Sequence, residues 1–250
     1  MSENPGELTR REFFGLTASA VFMYGFQVAA SAAGNATKDA PFAPNAFIRI
    51  DRQGLVTLII PQVEMGQGVY TSLSMIVAEE LDADWQRLRV EHAPPNEKLY
   101  FNPMLGVQAT GNSNSIRGFW KPLRQAGATT RACLLEAAAG SWQVPAAECR
   151  TQEGTVIHGR TNRTLDYGAL VAGAAAITPP KEVPLKDPAA FRLIGRPVKR
   201  LDTPDKSNGR AKYGIDALPP GVRIATLTKS PVLGGKVARV DDSRIGRAHV

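Results

Sequence analysis

Two cysteines, Cys133 and Cys149, and three histidines, His92, His158 and His249, are all that occur in 250 residues. That excludes a disulfide framework and leaves no cysteine or histidine spacing of metal-site type. Cys133 lies in an Ala-rich helical stretch and is read as core. No Ser/His/Asp arrangement stands out, and no phosphate-loop lysine motif is present. The net charge is +7, but Arg and Lys are scattered among acids and form no basic helix with interleaved aromatics. Charge alone therefore does not make this a nucleic-acid-binding chain. An anionic ligand would also suit a basic protein. No apolar run is a convincing membrane span: the stretch 16–30 is short and is followed closely by polar Ser31, with Gln27 inside it. What is there is ordinary globular material, with 43% hydrophobic and 21% charged residues, enough for one large domain or two small ones.

The most organised stretch is Glu64-Met65-Gly66-Gln67-Gly68-Val69-Tyr70-Thr71. The run 55–61 before it reads as a strand, and 71–82 after it reads as a helix with Leu73, Ile76, Val77 and Leu81 on the buried face. Gly66 and Gly68 allow tight turning and close backbone approach. Gln67 places a two-way amide between them, and the following helix start favours an anionic group. The same pattern also fits a structural turn, so the loop alone leaves both readings open. Glu79, Glu80, Asp82 and Asp84 read as a solvated face.

A second polar loop, residues 108–118, contains Gly111, Asn112, Ser113, Asn114 and Ser115. It precedes a long helix over 116–141, whose apolar stripe is Leu123, Ala126, Thr130, Cys133, Leu134 and Ala137. Small polar residues at a helix start can hold a phosphate through backbone N–H groups and hydroxyls. They can equally be a flexible loop with an N-cap at Ser113 or Ser115.

Around these loops the chain reads in order. Residues 1–32 carry Arg10-Arg11, then hydrophobics, then Ala30-Ser31-Ala32, the order of an export signal of the twin-arginine (Tat) type. A periplasmic location is the corresponding expectation. Residues 33–45 read as a linker, and 46–51 with 55–60 as a hairpin about Gln53-Gly54. Another strand runs to Val90 and stops at Pro94-Pro95-Asn96. Residues 149–158 read as a hairpin about Glu153-Gly154, 165–177 as a small-residue helix, and 179–188 as a Pro-rich crossing segment. Two strand-like runs, 223–229 and 236–241, come late.

Taken together, these motifs resemble the large, molybdopterin-binding subunit of the xanthine dehydrogenase/aldehyde oxidase family, of the isoquinoline 1-oxidoreductase β-subunit type. The residues that carry the resemblance are the 64–71 loop with Ala78-Glu79-Glu80-Leu81-Asp82, and the 110–118 loop with Trp120, Pro122 and Leu123. Val144-Pro145-Ala146-Ala147-Glu148-Cys149 and Pro184-Leu185-Lys186-Asp187-Pro188 match that type too. Leu201-Asp202-Thr203-Pro204-Asp205-Lys206, with Gly209, Tyr213, Asp216 and Ser230-Pro231, is similar to the start of the family's a/b hammerhead domain.

The resemblance implies an α+β fold, with a molybdopterin-binding portion over 46–190 and the start of a hammerhead domain over 191–250. It implies a molybdenum hydroxylase that inserts water-derived oxygen into aldehydes or N-heterocycles. Gly66, Gln67 and Gly68 would contact the molybdopterin. Gly111, Asn112, Ser113, Asn114 and Ser115 would hold its phosphate or dinucleotide part. The 2Fe-2S clusters would sit on a small partner subunit, since no cysteine–iron pattern occurs here. Neither a nucleic-acid partner nor a membrane span after signal removal is expected. The family has Gly-Gly-Ser where this chain has Gly111-Asn112-Ser113. Its general-base glutamate lies near the C-terminus of a polypeptide roughly three times this size, and no position here matches it. The expectation is an N-terminal part of such an enzyme, with a non-catalytic remnant or interaction module as the alternative.

Overall fold

The computed structural model describes residues 42–225 and 227–243. The export-signal reading of 1–32 and most of the expected linker lie outside them. The fold is α+β, as the resemblance implies.

The last four linker residues are not linker. Phe42–Asn45 forms a strand (β1) that pairs antiparallel with Ile48–Ile50 (β2), and β2 pairs antiparallel with Val56–Ile60 (β3). Phe42 is buried, as are Ile48 and Ile50, so the short edge strand is retained by its apolar side chains. All five residues of β3 are buried, because it is an interior strand covered by helices. The chain then passes through helix α1 (Val69–Leu81) and returns as Leu88–His92 (β4), parallel to β3 in the register Val56–Leu88 to Ile60–His92. Only a crossover of this length makes a parallel neighbour possible. It also leaves the loop after β3 at the carboxyl end of the sheet, where α/β crossovers place ligand sites. A four-residue helix, Glu97–Tyr100 (α2), follows.

Ser115–Trp142 is one 28-residue helix (α3), with Pro122 in its first third. Every residue of its predicted stripe is buried. Burial pushes the Cys133 thiol up to about 11, with the Glu136 charge adding to the rise, so that thiol is a core group. Helices α1 and α3 pack tightly at Gly127, where a Cβ would stand 2.9 Å from both the Val77 carbonyl oxygen and the Glu80 Cβ. The second sheet is Cys149–Gln152 (β5), Thr155–His158 (β6) and Thr164–Asp166 (β7), all antiparallel. Its first turn is the predicted Glu153-Gly154, with both residues at positive φ, the hairpin geometry that suits Gly. Helix α4 (Tyr167–Ala175) closes the unit, and the buried Tyr167 hydroxyl donates to the Leu81 carbonyl at 2.6 Å.

The expected solvated face at the end of α1 is the clearest correction. Glu79 is 3% and Glu80 0% exposed. The Glu80 carboxylate accepts from Arg124 Nε at 2.7 Å and from the Lys186 backbone N–H. Arg124 in turn lies over the rings of Trp120 and Phe191 at 5.3 and 5.1 Å. Glu79 accepts the backbone N–H groups of Arg192, Leu193 and Ile194. Asp82 accepts from Lys186 Nζ and from the Thr151 hydroxyl. Glu79 and Glu80 are buried because each is paired or fully hydrogen-bonded. They bind the crossing segment 186–194 onto α1. Asp82 and Asp84 are half-buried, and Asp84 caps a short turn through Gln86 N–H.

This strap explains why the chain divides after Thr203 rather than at 190. In the second unit, residues 204–250, the expected strands 223–229 and 236–241 do not form among the described residues. Ile215, Leu227, Leu233 and Val237 are exposed there. Apolar alternation without further strands or a helix to cover it does not make an independent sheet.

Candidate functional site

Gly66 and Gly68 have φ of 108° and 86°, in the region that only glycine enters without cost. A Cβ at either position would touch nothing. The backbone turn, not crowding, is therefore what requires glycine. Gly68 is the N-cap of α1 and supplies no side-chain cap.

That cap is supplied by Glu64. Its carboxylate accepts backbone N–H groups from Gly66 at 2.7 Å, Gly68 at 3.0 Å and Tyr70 at 3.2 Å. Arg200 Nη2 stands 3.1 Å away on the same carboxylate, while Arg200 Nη1 donates to the Gly66 carbonyl at 2.9 Å. Burial raises the Glu64 carboxyl's pKa, but the hydrogen bonds from Gly68, Tyr70 and Gly66 outweigh it and hold the group below its usual range. The amides of Gly66, Gly68 and Tyr70 are thus taken by an internal carboxylate. Gln67 is exposed. Its Oε1 accepts from Met65 N–H, and its Nε2 donates to the Val63 carbonyl at 2.8 Å. One N–H and one lone pair of that amide stay available to a ligand.

The second loop is built differently. Asn112 and Ser113 have φ of 53° and 50°. Asn is the non-glycine residue that tolerates this region best, so Asn112 suits the turn it makes. The N-cap of α3 is Asn114, neither Ser113 nor Ser115, and it makes no side-chain cap hydrogen bond. Asn114 is fully buried; its Oδ1 accepts from Asn102 Nδ2 at 2.9 Å, while its own Nδ2 has no hydrogen-bond partner. Such an orphan is uncommon in folded proteins. Ser115 turns inward and donates to Gln62 Oε1 at 2.7 Å.

The two loops are tied together. Gln62, 0% exposed, also donates to the Ala109 carbonyl at 3.1 Å, and Val63 N–H donates to Thr110 Oγ1 at 2.8 Å. Beside this joint lies a cavity of about 510 Å³, lined by Pro61, Val63, His92, Asn96, Ala109 and Thr110 among others. Tyr70 Oη is 3.5 Å from His92 Nδ1 at its edge. The structure thus brings both predicted loops to one end of the β3–β4 pair. Gln62, Glu64, Asn102, Thr110 and Arg200 were not singled out by sequence reasoning as site residues. Gln62 had a signal in its position, as the first polar side chain after the uninterrupted apolar end of β3. Arg200 had none, being 136 residues from Glu64. Among the described residues no group of three or more His, Cys, Asp or Glu is gathered for a metal ion, and no helix is long and apolar enough to cross a membrane.

Two polar loops joined at the carboxyl end of a parallel strand pair stand where α/β folds commonly place ligands. The family model for the molybdopterin cofactor-binding domain matches residues 9–228, and the chain belongs to that family. It is 36% identical to the β-subunit of isoquinoline 1-oxidoreductase from Brevundimonas diminuta, over 94% of this chain and 35% of that protein. It is 33% identical to a membrane-bound aldehyde dehydrogenase (pyrroloquinoline-quinone) of Gluconacetobacter polyoxogenes, over 94% and 31%. With the nicotinate dehydrogenase B-subunit of Pseudomonas putida it shares 30% identity, over 80% and 17%. The resemblance read from the motifs is borne out, and the chain spans about a third or less of the length of these relatives.

Proposed function

We propose that this chain is the N-terminal part of the large subunit of a molybdenum hydroxylase, contributing one wall of the molybdopterin site. The observation that carries this reading is the joint of the two loops, with the unpartnered, fully buried Asn114 Nδ2 at the uncapped start of α3. A buried amide donor and free first-turn N–H groups suit the phosphate or dinucleotide end of the cofactor. Ser113 and Asn112 add exposed donors beside them. Gln67 would offer its remaining amide valences to the pterin end. The residues present therefore fit the group at the second loop through backbone and amide donors, and at the first loop through a side chain.

The cofactor, when bound, supplies the redox chemistry of hydroxylation with water-derived oxygen. This chain's residues bind and orient it. The same proposal includes the dinucleotide form, the aldehyde or N-heterocyclic substrate and a small 2Fe-2S partner protein. The substrate classes are supported by the names of the relatives, an isoquinoline oxidoreductase, an aldehyde dehydrogenase and a nicotinate dehydrogenase, and the dinucleotide form and the 2Fe-2S partner rest on the family resemblance. Export of the folded, loaded protein by the Tat pathway to the periplasm is proposed from Arg10-Arg11 and the apolar run after them.

The test is molybdenum and pterin content of the purified chain, produced in a host that makes the cofactor. Near one molybdenum and one pterin per chain is the expected outcome when the two loops suffice for binding. A folded chain with neither, both alone and when joined to the remaining length of a relative, would overturn the reading.

A further inference from the structure

Glycine loops that lead into helix starts hold ligand anions by converging backbone N–H groups. The 63–70 loop has that geometry, and its donors converge on one of its own side chains. Gly66, Gly68 and Tyr70 N–H all reach the Glu64 carboxylate. The Glu64 side chain is only 4% exposed although the loop around it is open. Arg200 closes the far side, shared between Glu64 at 3.1 Å and Asp202 at 2.9 Å. Next to it, Leu201 N–H donates to Thr71 Oγ1 at 3.0 Å, in the first turn of α1.

We propose that Glu64 is a positioning residue: a resident anion in the donor nest of the glycine loop, latched by Arg200, which fixes where Gln67 stands. Its functional consequence rests on the reading of this loop as a cofactor contact. The peptide units on both sides of Gln67 are gripped, at Gly66 and at Gly68. Gln67 itself adds two bonds back to Val63 and Met65. The loop is a pedestal that presents an amide, and it does not receive a ligand phosphate. The phosphate-type donors are left to the start of α3.

The test uses the whole 250-residue chain, labelled with ¹⁵N, and formate as an external carboxylate. In the unaltered chain the amide signals of Gly66, Gly68 and Tyr70 are protected from solvent exchange and do not move with formate. In Glu64→Ala they shift upfield, as charge-assisted hydrogen bonds are lost, and return in a saturable way as millimolar formate fills the vacated nest. In Glu64→Gln the side chain still fills the nest, and formate has no effect. Formate-sensitive or unprotected amides in the unaltered chain would overturn the proposal, even if Glu64→Ala does not fold. So would a folded Glu64→Ala chain whose amides formate fails to restore. Molybdenum content separates this from the function itself. No metal in the unaltered chain, both alone and when joined to the remaining length of a relative, removes the cofactor reading and leaves the amide result standing. Metal lost in Glu64→Ala and regained with formate supports both.

Discussion

The loops before α1 and α3 both carry glycine, both open a helix, and sit side by side. Their helix starts are nonetheless satisfied in opposite ways. Before α1, a carboxylate from the same loop takes the free amides and an arginine locks it. Before α3, the N-cap side chain turns away from the helix, and a buried amide donor is left without a partner. A glycine-rich turn at a helix N-terminus is thus not an anion site by virtue of its backbone alone. What matters is whether an internal anion has already answered the dipole.

The largest expected effect comes from breaking the joint between the loops. Gln62 is fully buried and donates to Pro61 and Ala109 carbonyls while accepting from Ser115. Gln62→Leu has similar bulk but strands Ser115 Oγ and the Pro61 carbonyl, and leaves the Ala109 carbonyl only the 3.4 Å hydrogen bond from Asn102 Nδ2. The cost should be about 2–3 kcal/mol, typical of leaving buried polar groups unpaired. Urea denaturation measures it. A loss below half a kilocalorie would mean that the loops are held independently.

How far the comparison was legible in sequence depends on the distance over which each partner is recruited. The elements were readable because period and punctuation are local: Leu73, Ile76, Val77 and Leu81 mark α1, and Glu153-Gly154 marks its hairpin. The closeness of the two loops came only from the family resemblance, since strand direction and crossover are not written in a window of ten residues. The acids of Ala78-Glu79-Glu80-Leu81-Asp82 looked solvated because their partners, Arg124, Lys186 and the amides of 192–194, lie 44 to 115 residues away. The same remoteness hid Arg200. Late apolar alternation misled in the other direction, since strands at 223–229 and 236–241 need pairing partners that the described residues do not provide.

An intermediate effect concerns acid. The Glu64 carboxyl titrates below its ordinary 4.5, so its hydrogen-bonded anion stabilises the fold above the unfolded value. That contribution is lost as pH falls through the lower folded value. Glu64→Gln should therefore be less stable than the unaltered chain by a constant margin from neutral pH down to about 4.5, and the margin should shrink in more acid solution. Stability curves at stepped pH check this. A margin that grows below that pH would mean Glu64 is not the internal anion of the loop.

The smallest effects separate the loops by their glycines. Gly68 sits at φ 86° with open space where a Cβ would go, whereas Gly111 has no positive φ and is equally open. Gly68→Ala should then cost about 1–2 kcal/mol from backbone conformation alone. Gly111→Ala should be neutral or stabilising by up to about 0.5 kcal/mol, through the restricted unfolded chain. Thermal melts of the two variants make the measurement. The asymmetry follows from the turn each loop makes: the first must reverse sharply so that three amides meet Glu64, while the second reaches its helix through Asn112 and Ser113. Equal costs at the two positions would remove that distinction. A penalty at Gly111 in cofactor content without one in melting temperature would instead place a ligand against its bare Cα, which is what the open side of the second loop leads one to expect.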